Sequence, residues 1–93
     1  KMIATLAIIN TCDALTITED DKKLIVSAFG VILKSLKEKG LDSFEMSFQH
    51  ALLEDSTWND GYFCIIAKQM CNMVYKAIED RQLFELLESI NAN

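Results

Sequence analysis

With 93 residues, 51% of them hydrophobic and 25% charged, the chain has the composition of a globular protein and not of a disordered one. Fourteen acidic against nine basic residues give a net charge of −5, which repels nucleic-acid backbones and anionic membrane surfaces. No run approaches the ~18 consecutive apolar residues of a membrane span, and the lack of proline, with only three glycines, speaks against a turn-rich β architecture.

A chain this short buries only about 60–65% of its unfolded surface, so each large apolar residue is expected in the core. Met2 to Leu15 holds Ile3, Leu6, Ala7, Ile8, Ile9 and Cys12. A helix so apolar around its girth belongs inside the fold or inside a partner. A strand over Met2 to Ile9 is the weaker alternative, because the alternation is poor. Asp13 to Ile17 then connect to the segment around which the chain is organised.

Thr18, followed by Glu19, Asp20 and Asp21, reads as a helix start: a hydroxyl cap and three carboxylates at the positive end of the dipole. Leu24, Ile25, Ala28, Phe29, Ile32 and Leu36 recur at spacings that place them on one face. Lys34, Lys37 and Lys39 oppose the negative dipole end, Gly40 supplies a left-handed stop, and Leu41 suits the hydrophobic contact of that stop. Gly30, inside this helix, predicts a close crossing by a neighbour.

The junction of an apolar helix, Asp13 and the run from Ile17 to Asp21 resembles that of the tellurite-resistance TerB-type domains. Those place an Asp-Gly pair there, then a hydrophobic residue, a hydroxyl and acids. Here Ala14 replaces the glycine, one residue is added and the pattern has no second copy. The resemblance implies a ligand- or metal-binding helical module with its site near Asp13 to Asp21.

After Gly40, Asp42 and Glu45 make a capping box for a helix from about Ser43 to Glu54, with Phe44, Phe48, Ala51 and Leu52 as its apolar face. His50, about 200° around the helix from both Phe48 and Leu52, is expected to face away from that stripe, as a surface histidine. Glu54 to Gly61 reads as the main loop and contains Trp58, the one tryptophan. From about Asp60 a long helix carries Phe63, Ile66, Ala67, Met70, Met73, Val74 and Ala77 on one face. The pattern slips at Glu79 to Gln82, and Leu83, Leu86, Leu87 and Ile90 restart it as a terminal helix. One continuous helix over 60–90 is the alternative, and a rod of roughly 45 Å would overhang so small a domain and point to a homodimer.

The residue inventory offers little chemistry. Cys12, Cys64, Cys71 and the single His50 lack the close ligand pairs of a zinc site, and Asp13 to Asp21 lacks the alternating oxygens and central glycine of a calcium loop. No phosphate-binding glycine loop, nucleophile elbow or metalloprotease pair occurs. Cys64 and Cys71 lie about 10 Å apart along one helix, so Cys12 with either is the only plausible internal disulfide. Three buried, reduced thiols are the expected state.

These readings converge on an all-α fold: a compact bundle of four to five helices around one core, in a single domain over residues 1–93. Its expected function is protein binding without catalysis, metal or cofactor, of a regulatory or inhibitory kind. The contact is expected at Trp58, an aromatic anchor, with Glu54, Asp55, Asp60 and Tyr62 around it. The acidic balance favours a basic protein partner, with a second copy of the chain as the other candidate and neither nucleic acid nor membrane. The layout of Cys12 on the first helix, Cys71 on the fourth and the ending from Tyr75 to Ile90 is similar to periplasmic helical immunity proteins against cell-wall amidases, which implies an inhibitory role. The cytoplasm is the favoured compartment, and the start at Lys1 admits a processed, exported chain.

Overall fold

The capping signals around residues 18 to 41 operate as their chemistry requires. In the computed structural model, which describes Ile9, residues 12–55 and residues 59–80, α1 runs over Glu19–Glu38. The Asp21 N–H donates to the Thr18 hydroxyl and the Thr18 N–H donates to the Asp21 carboxylate, both at 3.1 Å, a reciprocal capping box. Upstream, Asp13 closes an Asx turn by accepting the Leu15 N–H at 2.9 Å, and its carbonyl accepts the Thr16 and Ile17 N–H groups. At the far end Gly40 takes a φ of 83°. The Leu41 N–H then reaches the Leu36 carbonyl (2.9 Å) and the Gly40 N–H reaches that of Lys37 (3.0 Å), a Schellman stop. Leu41 packs against the core as the hydrophobic partner of that stop.

Helix α2 spans Phe44–Glu54 and α3 spans Asp60–Asp80. The cap of α2 is Ser43, whose hydroxyl accepts the Met46 N–H at 3.3 Å, one residue later than the Asp42 box expected from sequence. Asn59 caps α3, its side-chain oxygen accepting the Tyr62 N–H at 2.8 Å. Among the described residues the fold is all-helical, with three helices and no strand. Of the helix expected over Met2 to Leu15, Ile9 and residues 12–15 are described: Ile9 is helical, while residues 12–15 lie in no helix and residues 14–15 form a turn; the helix expected from Leu83 lies outside the described residues. So does the question of one or two helices over 60–90, except that α3 passes unbroken through Glu79 to Asp80.

Helix α2 packs against both α1 and α3. One apolar cluster joins Ile25, Phe29, Ile32 and Leu36 of α1 to Met46 and Leu53 of α2 and to Phe63, Ile66, Met70, Val74 and Ile78 of α3. Each such side chain contributes on the order of 1.5–3 kcal/mol when fully buried. Ile9 and Cys12 reach the same cluster from in front of α1. No charged or polar residue is fully buried among those described.

Three sequence expectations are corrected. Leu24, assigned to the buried stripe of α1, is 65% exposed, because the core-facing arc is centred on Ile25, Phe29, Ile32 and Leu36. The stripe of α2 is largely reversed: Met46 and Leu53 face inward, Phe44 and Phe48 are 83% and 51% exposed and Ala51 is exposed as well, so of the expected stripe only Leu52 packs against the core. Met46 and Leu53 lie roughly 180–200° around the helix from Phe44, so α2 has two apolar faces and only one of them is covered. The cysteines are not three thiols. The turn in which the Cys12 N–H donates to the Ile9 carbonyl (2.9 Å) sets Cys12 beside the start of α3. Cys12 and Cys64 are joined as a disulfide with Cα atoms 5.6 Å apart, and Cys71 stays a buried thiol.

Candidate functional site

Two surface features lie on α2, one at its C-terminal end and one along its outer face. Between the first turns of α1, the last turn of α2 and the start of α3 opens a cleft of about 480 Å³. Its apolar floor is Val26, Leu53 and Phe63, and its rim carries Glu19, Glu54 and Asp55 on one hand and Lys22 and Lys23 on the other. Lys22 is held in place: its ammonium pairs with Glu19 at 2.9 Å and with Asp60, and lies 5.8 Å from the centroid of the Phe63 ring. The Asp60 hydrogen bond, then that of Glu19, raises its pKa above the ordinary lysine value. Lys22 thereby ties the first turn of α1 to the first turn of α3.

The structure brings Glu54 and Asp55 together on this cleft and sets Asp60 behind it through Lys22. Tyr62 is on the exposed side of α3 and is not part of the lining. Trp58 lies outside the described residues. Sequence reasoning missed the contribution of α1, since nothing local to residues 54–62 says that Glu19, Lys22 and Val26 will stand opposite them.

His50 also departs from expectation. Because the Phe44–Phe48 face is the outer one, the opposite face is the inner one, and the His50 side chain is only 19% exposed. Its Nε2 donates to the Val26 carbonyl across the helix interface at 3.0 Å, and its Nδ1 lies 3.1 Å from a Glu54 carboxylate oxygen. The ring reaches Val26 by passing over Gly30, where an added Cβ would stand 3.6 Å from Nε2. The close crossing expected at Gly30 is therefore made by an imidazole. His50 acts as an interhelical pin and not as the surface histidine expected from its helical position.

The thiols offer no nucleophile among these groups. Cys12 and Cys64 are consumed by the disulfide, and burial pushes the Cys71 thiol up to about 12. Tyr75, near it, is raised by burial and by Cys71. Among the described residues no group of three or more histidine, cysteine or acidic side chains is arranged to hold a metal ion. Of the four acids in the run assigned to a TerB-like site, Asp13 and Asp21 are engaged with the backbone amides of Leu15 and Thr18, and Glu19 pairs with Lys22.

On the outer face of α2, the Phe44 and Phe48 rings are stacked on each other, centroids 6.2 Å apart and planes 18° from parallel. Asp42 and Glu45, both exposed, flank Phe44. On the Ser47 side Lys34 and Lys37 border the helix across a smaller cleft of about 200 Å³. No helix among the described residues is long and apolar enough to cross a membrane.

Neither a protein-family model, nor a curated protein, nor a solved structure matches the chain.

Proposed function

We propose that the chain is a protein-interaction module of a regulatory or inhibitory kind, acting by covering a surface of its partner and not by catalysis. The observation that carries this reading is the outward pair Phe44 and Phe48. A small helical domain gains no stability from two aromatic rings left in water on a helix whose other face already fills the core, and aromatic residues are the type that dominates interface energetics. The net charge of −5, with Asp42 and Glu45 beside the rings and Glu54 and Asp55 at the end of the same helix, favours a partner whose apolar patch is rimmed by basic residues. The reading extends to the whole chain as one helical bundle of four to five helices, the outer ones resting on the periodicity of Met2 to Leu15 and Leu83 to Ile90. The Cys12–Cys64 disulfide supports an oxidising compartment over the cytoplasm for this activity.

The test is to immobilise the protein, a Phe44→Ser/Phe48→Ser variant and a Trp58→Ala variant, identify what each captures from the source cells, and titrate the purified partner against all three at two salt concentrations. A partner lost by the double serine variant, and weakened by salt, supports the reading. Loss only in Trp58→Ala moves the contact to the loop. Equal capture by all three, or self-association alone in light scattering, overturns it.

A further inference from the structure

We infer that His50 makes the seat of α2 on α1 sensitive to pH: a proton on its ring ties Val26 and Glu54 to one imidazole, and loss of that proton releases Glu54. Both ring nitrogens meet oxygens that can only accept. Nε2 lies 3.0 Å from the Val26 carbonyl and Nδ1 lies 3.1 Å from the Glu54 carboxylate. A neutral imidazole carries one N–H, so it satisfies one of these oxygens and turns a lone pair on the other; the imidazolium satisfies both, the second through a charge-assisted bond. The two tautomers of the neutral ring are not equivalent here. The Val26 carbonyl is fixed in the backbone of α1, whereas the Glu54 side chain is 57% exposed and can turn to water. Deprotonation therefore keeps the Val26 contact, breaks the Glu54 contact and frees a carboxylate on the rim of the larger cleft. The ring cannot follow Glu54 to water, because it is mostly buried and lies against α1 in the space that Gly30 leaves open. Among the described residues the ion pair of the ring is with Glu54. Of the other charged groups along this seam, Asp55 follows Glu54 on the cleft rim, Lys22 of α1 is held by Glu19 and by Asp60 of α3, and Lys23 and Lys34 of α1 are exposed. Carboxylates and ammonium groups keep their charge where an ordinary histidine titrates, near pH ~6.5. The unfolded chain makes neither contact, so the protonated ring favours the folded form: this contribution is present below the histidine range and is lost as pH rises through it.

The chain has a single histidine, so its ring signals are unambiguous and no other side chain ordinarily titrates between about pH 5.5 and about pH 7.5. The experiment is urea unfolding of the protein, of Glu54→Gln and of His50→Gln at those two pH values, with nitrogen-15 spectra of the imidazole in the same samples. The result expected is a folding constant about threefold larger at the lower pH in the unaltered protein, and a ratio near one in both variants. At the lower pH the ring should carry hydrogen on both nitrogens, with the Nδ1 hydrogen slow to exchange with water and that slowing lost in Glu54→Gln. Each ratio is taken within one protein, so a variant's own loss of stability does not enter it. Glu54→Gln keeps the shape of an exposed side chain, so the comparison stands even where His50→Gln fails to fold. A ratio near one in the unaltered protein, a folding constant that grows with pH, or a ratio that survives unchanged in Glu54→Gln overturns the inference. Every readout is internal to the chain, so this inference and the protein-binding reading fail separately.

Discussion

Helices α2 and α3 are both rich in apolar residues, yet they relate to water in opposite ways. α3 buries Phe63, Cys64, Ile66, Ala67, Met70, Cys71, Val74 and Ile78 along one continuous arc and is tied to the chain before α1 by a disulfide. α2 buries Met46 and Leu53 and shows its two phenylalanines to solvent. The difference is one of neighbours. α3 lies along the centre of the cluster, whereas α2 packs on α1 and α3 from one side only and has its second apolar face to spare. An apolar stripe states which residues profit from burial; the packing decides which of them receive it.

The sharpest way to break the contrast is to release α3. Cys12 and Cys64 are 52 residues apart, and a closed loop of that size restrains the unfolded chain by about 4 kcal/mol in the chain-entropy account. Cys64→Ser, or reduction, should lower the urea midpoint accordingly, and an unchanged midpoint would show that the bond contributes nothing. Next, Met70→Ala should cost about 2–5 kcal/mol through a cavity, while Phe44→Ser should stay within about 0.5 kcal/mol. Comparable losses in the two denaturation curves would mean that the outer face of α2 is part of the core after all.

A third effect is confined to alkaline pH. The Cys71 thiol is raised to about 12 from 9.0 by burial, so in the folded protein it keeps its proton where the unfolded chain has lost it. Stability from this group is complete below pH 9 and falls above it, by up to about 1.4 kcal/mol per pH unit until the folded pKa is passed. Lys22, also raised, adds a loss of the same sign above its ordinary value of 10.5. Cys71→Ala should flatten the decline of the unfolding free energy between pH 9 and 10; an unaltered slope would assign it to other groups.

Much of the frame was legible in residue order. The Thr18 cap, the Gly40 stop and the buried run from Phe63 to Val74 follow from chemistry confined to a few neighbouring residues, and each stands where that chemistry puts it. The orientation of α2 was not legible, because both of its faces satisfy a 3.6-residue pattern and the choice between them depends on where α1 and α3 lie. The same ambiguity extends to His50: facing away from the phenylalanines suggests water in the sequence and means Val26 in the fold. Of the candidate site, Glu54, Asp55 and Asp60 were visible as loop acids. Their partners Glu19 and Lys22 stand some 35 residues earlier in the chain and become neighbours only through folding.

The Cys12–Cys64 bond makes residues 12 to 64 a covalent ring that contains all of α1, all of α2 and its outward pair Phe44 and Phe48. A protease that cuts at the exposed Lys39, in the turn after α1, would open the ring without detaching anything, and the two pieces would travel as one molecule until the disulfide was reduced. A partner bound to α2 would thus keep its grip on the rest of the protein through a break in the backbone.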